Sequence, residues 1–449
     1  MLDRLKGYRA RRSKHWKWLH YCGRCCRRSR RVLAQRRVRG SPSALSQGAV
    51  TVAMKTHSVL ISHPSPDLYG SDLQLLESVT ALVESGIAVH VILPRTGPLE
   101  ELLKDRGAKT ETIPFPVSRK SVLNLRSLPQ YVAETVIATV HAVRLIRRVR
   151  PDVLYANTIT APVWILAGFL TGTPSLCHVH EAEETGNRFL QILLASPLLL
   201  CDTIIVNSKA SREVIDQSLA RLGGRIELIY NGVPEPMSTS EEPNPSVVGG
   251  LRIVLVGRLS PRKGTDVALE ALAELAKTGL DVSISICGDS YPGYEWFDSA
   301  LRERALKSDL KGRVQFCGYI RNVHQYLAQA HIVIVPSIAE PFGNVAVEAQ
   351  LAARPVVASN VQGLAEIIDH GRTGLLCPPG DHVAIAQAVL RLVDDPAWAE
   401  EIAQAGYDSA VHRFGVGRYR ESIVNVVENL TVGPSRFRHL TGQSKGRRK

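Results

Sequence analysis

The stretch HIVIVPSIAEPFGNVAVE, residues 331–348, decides how this chain is read. Its first six residues are an apolar, β-branched run, of the kind that forms a strand buried on both faces of a parallel sheet. From Val345 to Ala353 the chain turns Ala-rich and free of turn formers, which predicts a helix. Pro341-Phe342-Gly343-Asn344 lies between them, giving strand, glycine-bearing turn and helix N-terminus in that order. Such an N-terminus carries about half a positive charge and several unpaired N–H groups, so it attracts anions or hydroxyl-rich ligands. An acid in the first helical turns contributes roughly 0.3–1 kcal/mol there, and this alone accounts for Glu348. It does not account for Glu340, which precedes the turn and whose carboxylate can accept from hydroxyls. The pair suits a ligand that carries both phosphate and sugar.

Outward from this stretch, apolar strands alternate with helical segments twice over. In the first half the strands fall at Ser58–His63, Ala88–Leu93, Val153–Ala156, Ser175–Val179 and Thr203–Asn207, with helices at about Asp72–Ser85 and Pro129–Val149. The second half restarts at Arg252–Val256 and continues through Asp281–Cys287, Val314–Phe316, Ile332–Val335 and Pro355–Ala358. Strands separated by helices imply parallel βαβ units and a doubly wound sheet. The reading is therefore an α/β chain with two Rossmann-like domains, 54–234 and 251–412, facing across a cleft and joined by a Pro/Ser/Glu-rich linker at 235–250. A helix at 413–432 is expected to pack back on the first domain, ahead of a basic tail at 433–449. Ligands of such sheets sit beyond the carboxyl ends of the strands.

At 449 residues, with 45% hydrophobic and 22% charged residues, the chain has the composition of a soluble protein of more than one domain. Its net charge of +13 is unevenly placed. Residues 1–53 hold fifteen Lys or Arg against Asp3, so the rest of the chain balances to −1. This basic arm lacks the apolar segment of a secretory signal. With Trp16 and Trp18 it suits peripheral contact with anionic lipid, or nonspecific contact with nucleic acid; alternatively, translation starts at Met54. Cys22, Cys25 and Cys26 lack a second ligand pair at zinc-like spacing. The other five cysteines stand in apolar surroundings and read as buried thiols of a reducing cytoplasm. No apolar run approaches the roughly 20 residues needed to span a bilayer, so any contact with the inner face of the plasma membrane is peripheral.

Three other places carry chemistry. Gly257-Arg258-Leu259-Ser260-Pro261-Arg262-Lys263-Gly264 follows the first strand of the second domain and leads into a helix near Thr265. A glycine-bounded loop with Arg258 as a planar fork and Lys263 as a point charge suits a diphosphate, although a basic turn can also simply be solvated. Its spacing is not that of a P-loop. Cys287-Gly288 and Cys317-Gly318-Tyr319 end two strands with glycine, where a base or ribose can approach the backbone or where the chain merely turns. In the first domain Gly70 opens the first helix and puts N–H groups at the cleft, while His178, His180 and Glu181 follow the strand Ser175–Val179. A lone His is more often structural, but its place at a carboxyl-terminal strand end favours a role at the site.

Glu340 and Glu348 with the intervening Pro-Phe-Gly resemble the paired-glutamate signature of retaining GT-B glycosyltransferases of the group-one family. The loop at 257–264, Asn231-Gly232-Val233, Val206-Asn207-Ser208-Lys209, His180-Glu181, Gly363-Leu364-Ala365-Glu366 and Gly371-Arg372-Thr373-Gly374-Leu375-Leu376 resemble further motifs of that family, over about residues 55–432. Tyr69-Gly70-Ser71 departs from it, since many members carry a Gly-Gly pair there. The resemblance implies a metal-independent hexosyltransferase using a UDP-, GDP- or ADP-sugar as donor substrate and no separate cofactor. Arg258 and Lys263 would hold the diphosphate, Glu348 the ribose, and Glu340 with the N–H groups of Phe342, Gly343 and Asn344 the transferred sugar. Gly70, Gly318 and Tyr319 would complete the nucleotide site, and His180 would stand beside the reacting carbon. It further implies front-face displacement with retention, onto a saccharide or lipid-linked acceptor of cell-envelope or exopolysaccharide synthesis. A catalytically inactive sugar-nucleotide-binding regulator is the alternative, and specific nucleic-acid binding is not expected.

Overall fold

In the computed structural model of the chain, the residues described are 57–118, 128–181, 188–236, 250–290 and 293–432. The basic arm, most of the expected linker and the C-terminal tail lie outside them. The first domain is a seven-stranded sheet of β1 (Ser58–Ser62), β2 (Ala88–Leu93), β3 (Lys109–Thr112), β4 (Val153–Ala156), β5 (Ser175–Val179), β6 (Thr203–Val206) and β7 (Ile226–Leu228). The order is β3-β2-β1-β4-β5-β6-β7 and every pairing is parallel. The second sheet holds β8 (Leu251–Val256), β9 (Val282–Cys287), β10 (Val314–Gly318), β11 (Ile332–Val335), β12 (Val356–Ser359) and β13 (Leu375–Cys377). Its order is β10-β9-β8-β11-β12-β13, again all parallel. Each sheet reverses its strand order beside its first strand, and that switch point is where the carboxyl ends open a crevice.

The sequence reading missed β3, β7 and β13. All three are edge strands and offer little pattern to read: β3 is polar, Lys-Thr-Glu-Thr, while β7 and β13 have only three residues each, Ile-Glu-Leu and Leu-Leu-Cys. Edge strands face one neighbour only, so they are not selected for the continuous hydrophobicity that marks β4 or β11. The interior strands are largely buried, and helices on both faces complete the cores. Leu269, Leu272 and Leu275 from helix Thr265–Lys277 pack on Ile253, Leu255 and Ile284, for example.

The end of the chain couples the two domains. Helix Pro396–Phe414 belongs to the second domain, Gly415 breaks it, and Val416–Val432 crosses to the first. There Tyr419, Ile423, Val426 and Val427 join the cluster of Val59, Ile61, Leu75 and Val79. Tyr419 and Ser78 share a hydroxyl–hydroxyl hydrogen bond of 2.5 Å, and the Arg420 guanidinium donates to the Glu77 carboxylate. The crossing point is pinned where the Val233 N–H donates to the Phe414 carbonyl at 2.9 Å. No helix among the described residues is long and apolar enough to cross a membrane.

Candidate active site

The loop after β8 is held rigidly before any side chain reaches the cleft. Leu259 is fully buried and its N–H donates to the Asp289 carbonyl, and Pro261–Lys263 forms a single tight turn. Gly264 closes that turn at φ +66°, where a Cβ would stand 2.0 Å from the Pro336 carbonyl oxygen. Only glycine lets the loop pack so closely on the end of β11. The two loops are also tied by the Ile338 N–H, which donates to the Arg262 carbonyl at 2.8 Å. Arg258 and Lys263 therefore project from a fixed frame onto the loop that carries Glu340.

Lys263 is the centre of the arrangement. Its ammonium donates to the Glu340 carboxylate in a short, largely buried ion pair. Ser337 Oγ donates to the same carboxylate at 3.2 Å, and the Gln362 side-chain oxygen holds the Glu340 N–H at 2.8 Å. Burial pushes the Glu340 carboxyl upward, but Lys263, then Arg262 and Ser337, hold it below its ordinary value, so it is ionised. Glu348 lies on helix Asn344–Leu351, which starts directly after Gly343. Burial pushes its carboxyl up to about 7, with Lys263 only partly opposing. One cation thus pairs with one carboxylate and acts by charge on a second, which sits in a different protonation regime, an arrangement characteristic of functional sites.

Across the cleft, Tyr69 precedes helix Gly70–Glu84, and the Arg258 guanidinium lies over its ring at 4.7 Å. A Cβ at Gly70 would approach the Asn344 amide to 3.3 Å, so the two expected site residues face each other directly. The Asn231 amide in turn donates to Asn344 Oδ1 at 2.9 Å. Tyr319 donates its hydroxyl to the Leu68 carbonyl and meets the Tyr69 ring edge-on. Glu366 of the second domain accepts from the Lys209 and Ala210 N–H groups, capping a helix of the first.

His180 stands just past β5 and its Nε2 is 3.0 Å from Asn157 Oδ1. Its ring lies against His178, tilted by 35° with the centroids 4.0 Å apart. Burial, then the neighbouring His178 and His63, hold its imidazole well below the usual range, so it is neutral. Glu181 is occupied otherwise: it accepts from Thr158 Oγ1 at 2.7 Å and from the His180 N–H at 3.0 Å.

Together these residues line a cleft of about 620 Å³, within the range of pockets that enclose small ligands. Gly70, His180, Arg258, Lys263, Tyr319, Glu340, Phe342, Gly343, Asn344 and Glu348 all line it. Gly318 does not, which corrects the sequence reading. Its carbonyl accepts from the Gly288 N–H at 2.8 Å, and Gly288 is the glycine at the cleft. A Cβ at Gly288 would fall 1.8 Å from the Gly257 carbonyl oxygen, so the β9 end must be glycine to lie against the loop that follows β8. Phe342 contributes backbone only, since its ring is buried between Tyr230 and Phe414. Cys317 is half-exposed rather than buried, because β10 is an edge strand. The sequence reading also overlooked Asn157 and His63. Each is the first residue after a buried strand, and that position is the signal that would have found them.

Comparison with known proteins agrees with this geometry. Residues 250–395 match the family profile of "Glycosyl transferases group 1", and residues 70–235 that of "Glycosyltransferase Family 4". This chain belongs to the group-one, family-four glycosyltransferases. Among its relatives, the glycogen synthase of Mycobacterium tuberculosis is 30% identical over 57% of this chain and 63% of its own length. The chain thus spans somewhat less than two thirds of that relative. A 2-deoxystreptamine glucosyltransferase of Streptomyces kanamyceticus is 28% identical over 77% of this chain and 95% of its own. The solved structure of Anabaena HepE in complex with UDP and glucose superposes with a TM-score of 0.69 at 25% identity, covering 82% of this chain and 99% of that one. Two parallel-sheet α/β domains facing one cleft are the GT-B architecture of such glycosyltransferases.

Proposed function

We propose that this family member transfers a hexose from a nucleoside-diphosphate sugar to a saccharide or lipid-linked acceptor, with retention at the anomeric carbon. The observation that carries the reading is Lys263 paired with Glu340 and acting by charge on Glu348, with all three lining the same cleft as Arg258. Arg258 and Lys263 bind the diphosphate as fork and point charge, and charge-assisted hydrogen bonds of this kind contribute about 1.5–3 kcal/mol each. Glu348 accepts from the ribose hydroxyls. Glu340, already ionised and fixed at both its N–H and its carboxylate, accepts from hydroxyls of the transferred sugar. In the reaction the bond from the anomeric carbon to the diphosphate oxygen breaks, and one from the same carbon to the acceptor oxygen forms on the same face. The acceptor's proton passes to the departing diphosphate, whose charge the two cations stabilise as it develops. These fixed charges supply the electrostatics without a divalent cation.

Two of the relatives, a glucosyltransferase and a protein crystallised with UDP and glucose, make UDP-glucose the first donor to try. An acceptor in cell-envelope or exopolysaccharide synthesis, reached from the cytoplasmic side, fits the same reading. The decisive experiment incubates the protein with UDP-, GDP- and ADP-sugars and follows hydrolysis, then transfer to simple saccharides. One donor is expected to be consumed slowly without acceptor. Glu340→Gln is expected to abolish transfer while leaving the fold intact. Tight nucleotide binding with no turnover of any donor would instead favour an inactive sugar-nucleotide-binding regulator.

A further inference from the structure

Four polar side chains form one hydrogen-bonded chain that starts under the first helix and ends at the cleft. Asp72 Oδ1 lies 2.7 Å from His63 Nε2, and His63 Nδ1 lies 2.9 Å from the Asn157 side-chain amide. Asn157 Oδ1 lies 3.0 Å from His180 Nε2. Asp72, His63 and Asn157 are each at most 1% exposed, so water does not interrupt the sequence of bonds. The other Asp72 oxygen accepts from the Tyr69 N–H at 2.8 Å, and the Tyr69 ring carries the Arg258 guanidinium. One carboxylate therefore underlies both the diphosphate side of the cleft and the histidine side.

The direction of the chain follows from which groups can donate. An ionised carboxylate only accepts, so His63 Nε2 carries the hydrogen. The Asn157 amide turns its NH₂ toward His63 Nδ1, so that nitrogen is the acceptor. That leaves Asn157 Oδ1 facing His180, which must donate from Nε2. His180 is itself neutral, so its Nδ1 is left with a lone pair. We infer that Asp72, His63 and Asn157 are positioning residues that lock His180 as its Nε2–H tautomer, so that Nδ1 meets the bound ligand as a hydrogen-bond acceptor. The groups facing His180 leave this intact. His178, from β5, is neutral because burial drives its imidazole down to about 3, and Glu181 is occupied by Thr158 and the His180 N–H. The opposite polarity requires His63 as imidazolium and the Asn157 amide turned over, which would make Nδ1 of His180 a donor. The consequence for the ligand, a sugar hydroxyl that must donate to Nδ1, rests on the donor-site reading above. The tautomer itself does not.

Nitrogen NMR of isotope-labelled histidine in the full chain tests this, with His180 assigned from the signals lost in His180→Asn. The wild type is expected to show a protonated Nε2 and a bare Nδ1 at His180. Asp72→Asn should split that signal into two tautomers, because an amide at position 72 can donate as well as accept. Asp72→Asn combined with Asn157→Asp should restore the single tautomer, since a carboxylate at 157 only accepts. With a donor that turns over, kcat/KM should fall about tenfold in Asp72→Asn, in the range typical of residues that orient a site histidine, and largely recover in the double variant. A protonated Nδ1 in the wild type overturns the inference, as does a single unchanged tautomer in a folded Asp72→Asn. Should Asp72→Asn not fold, the wild-type spectrum still decides. If no sugar nucleotide is consumed, the donor-site reading fails while the tautomer remains measurable.

Discussion

Glu348→Gln separates what the site costs the fold from what it contributes to binding. The ordinary value for this carboxyl is 4.5, and in the folded protein burial raises it to about 7. Between those two pH values the native protein keeps a proton that the unfolded chain releases. The unfolded state then binds fewer protons, so stability falls as pH rises through this window and levels off above it. Each pH unit of that gap corresponds to about 1.36 kcal/mol, so the total is of order 3 kcal/mol. Glutamine mimics the protonated acid and does not titrate. At pH 8 the variant should therefore be more stable than the wild type by up to about 3 kcal/mol, and near pH 4.5 the two should converge. Urea unfolding across that range, followed by the fluorescence of Trp296 and Trp398 in the second domain, measures the difference. The same variant should bind nucleotide sugar more weakly, because an ionised carboxylate offers the ribose hydroxyls two charged acceptor oxygens and an amide only one neutral one. A variant less stable than the wild type at pH 8, or a difference that does not vary with pH, would refute the reasoning.

Other perturbations test the frame around the site. Gly264→Ala forces a Cβ onto the Pro336 carbonyl at a positive φ, so it should destabilise the second domain by about 2 kcal/mol or more and displace Lys263; urea unfolding and donor titration both report it. Glu366→Ala removes the carboxylate that accepts from the Lys209 and Ala210 N–H groups and leaves only the Ser208 cap on that helix, a loss of about 1 kcal/mol that should open the cleft in small-angle scattering and raise KM for the donor. Transfer, once a donor is identified, should persist in excess EDTA; loss of activity restored by a divalent cation would contradict the charge assignment to Arg258 and Lys263.

Much of this architecture was legible along the chain because burial imposes a local pattern. Strands β1, β2, β4, β5 and β6 in one sheet and β8 to β12 in the other are apolar runs, or largely so, and glycines mark where loops turn at their carboxyl ends. β3 escaped because its exposure relaxes that pattern, and β7 and β13 because three residues are too few to show one, whereas the longer edge strand β10 was found. Gly318 was misplaced for a related reason: two strands end in Cys-Gly, and only the register of β9 against β10 decides which glycine reaches the cleft. Asn157 and His63 were invisible as a pair, since 94 residues separate them and neither belongs to a motif.

The sequence by itself determined the class of fold and the kinds of side chain at the cleft. Hydrophobic periodicity is a local consequence of burial, and the Glu340–Glu348 turn and the Arg258–Lys263 loop are each contiguous. Only the tertiary structure decided what those side chains do to one another. It brought Lys263 and Glu340 together across 77 residues and buried Glu348 where the charge of Lys263 offsets the burial only in part. It also ran a chain of hydrogen bonds from Asp72 to His180. Charge state and tautomer depend on burial and on partners within a few ångströms, and linear order does not encode either.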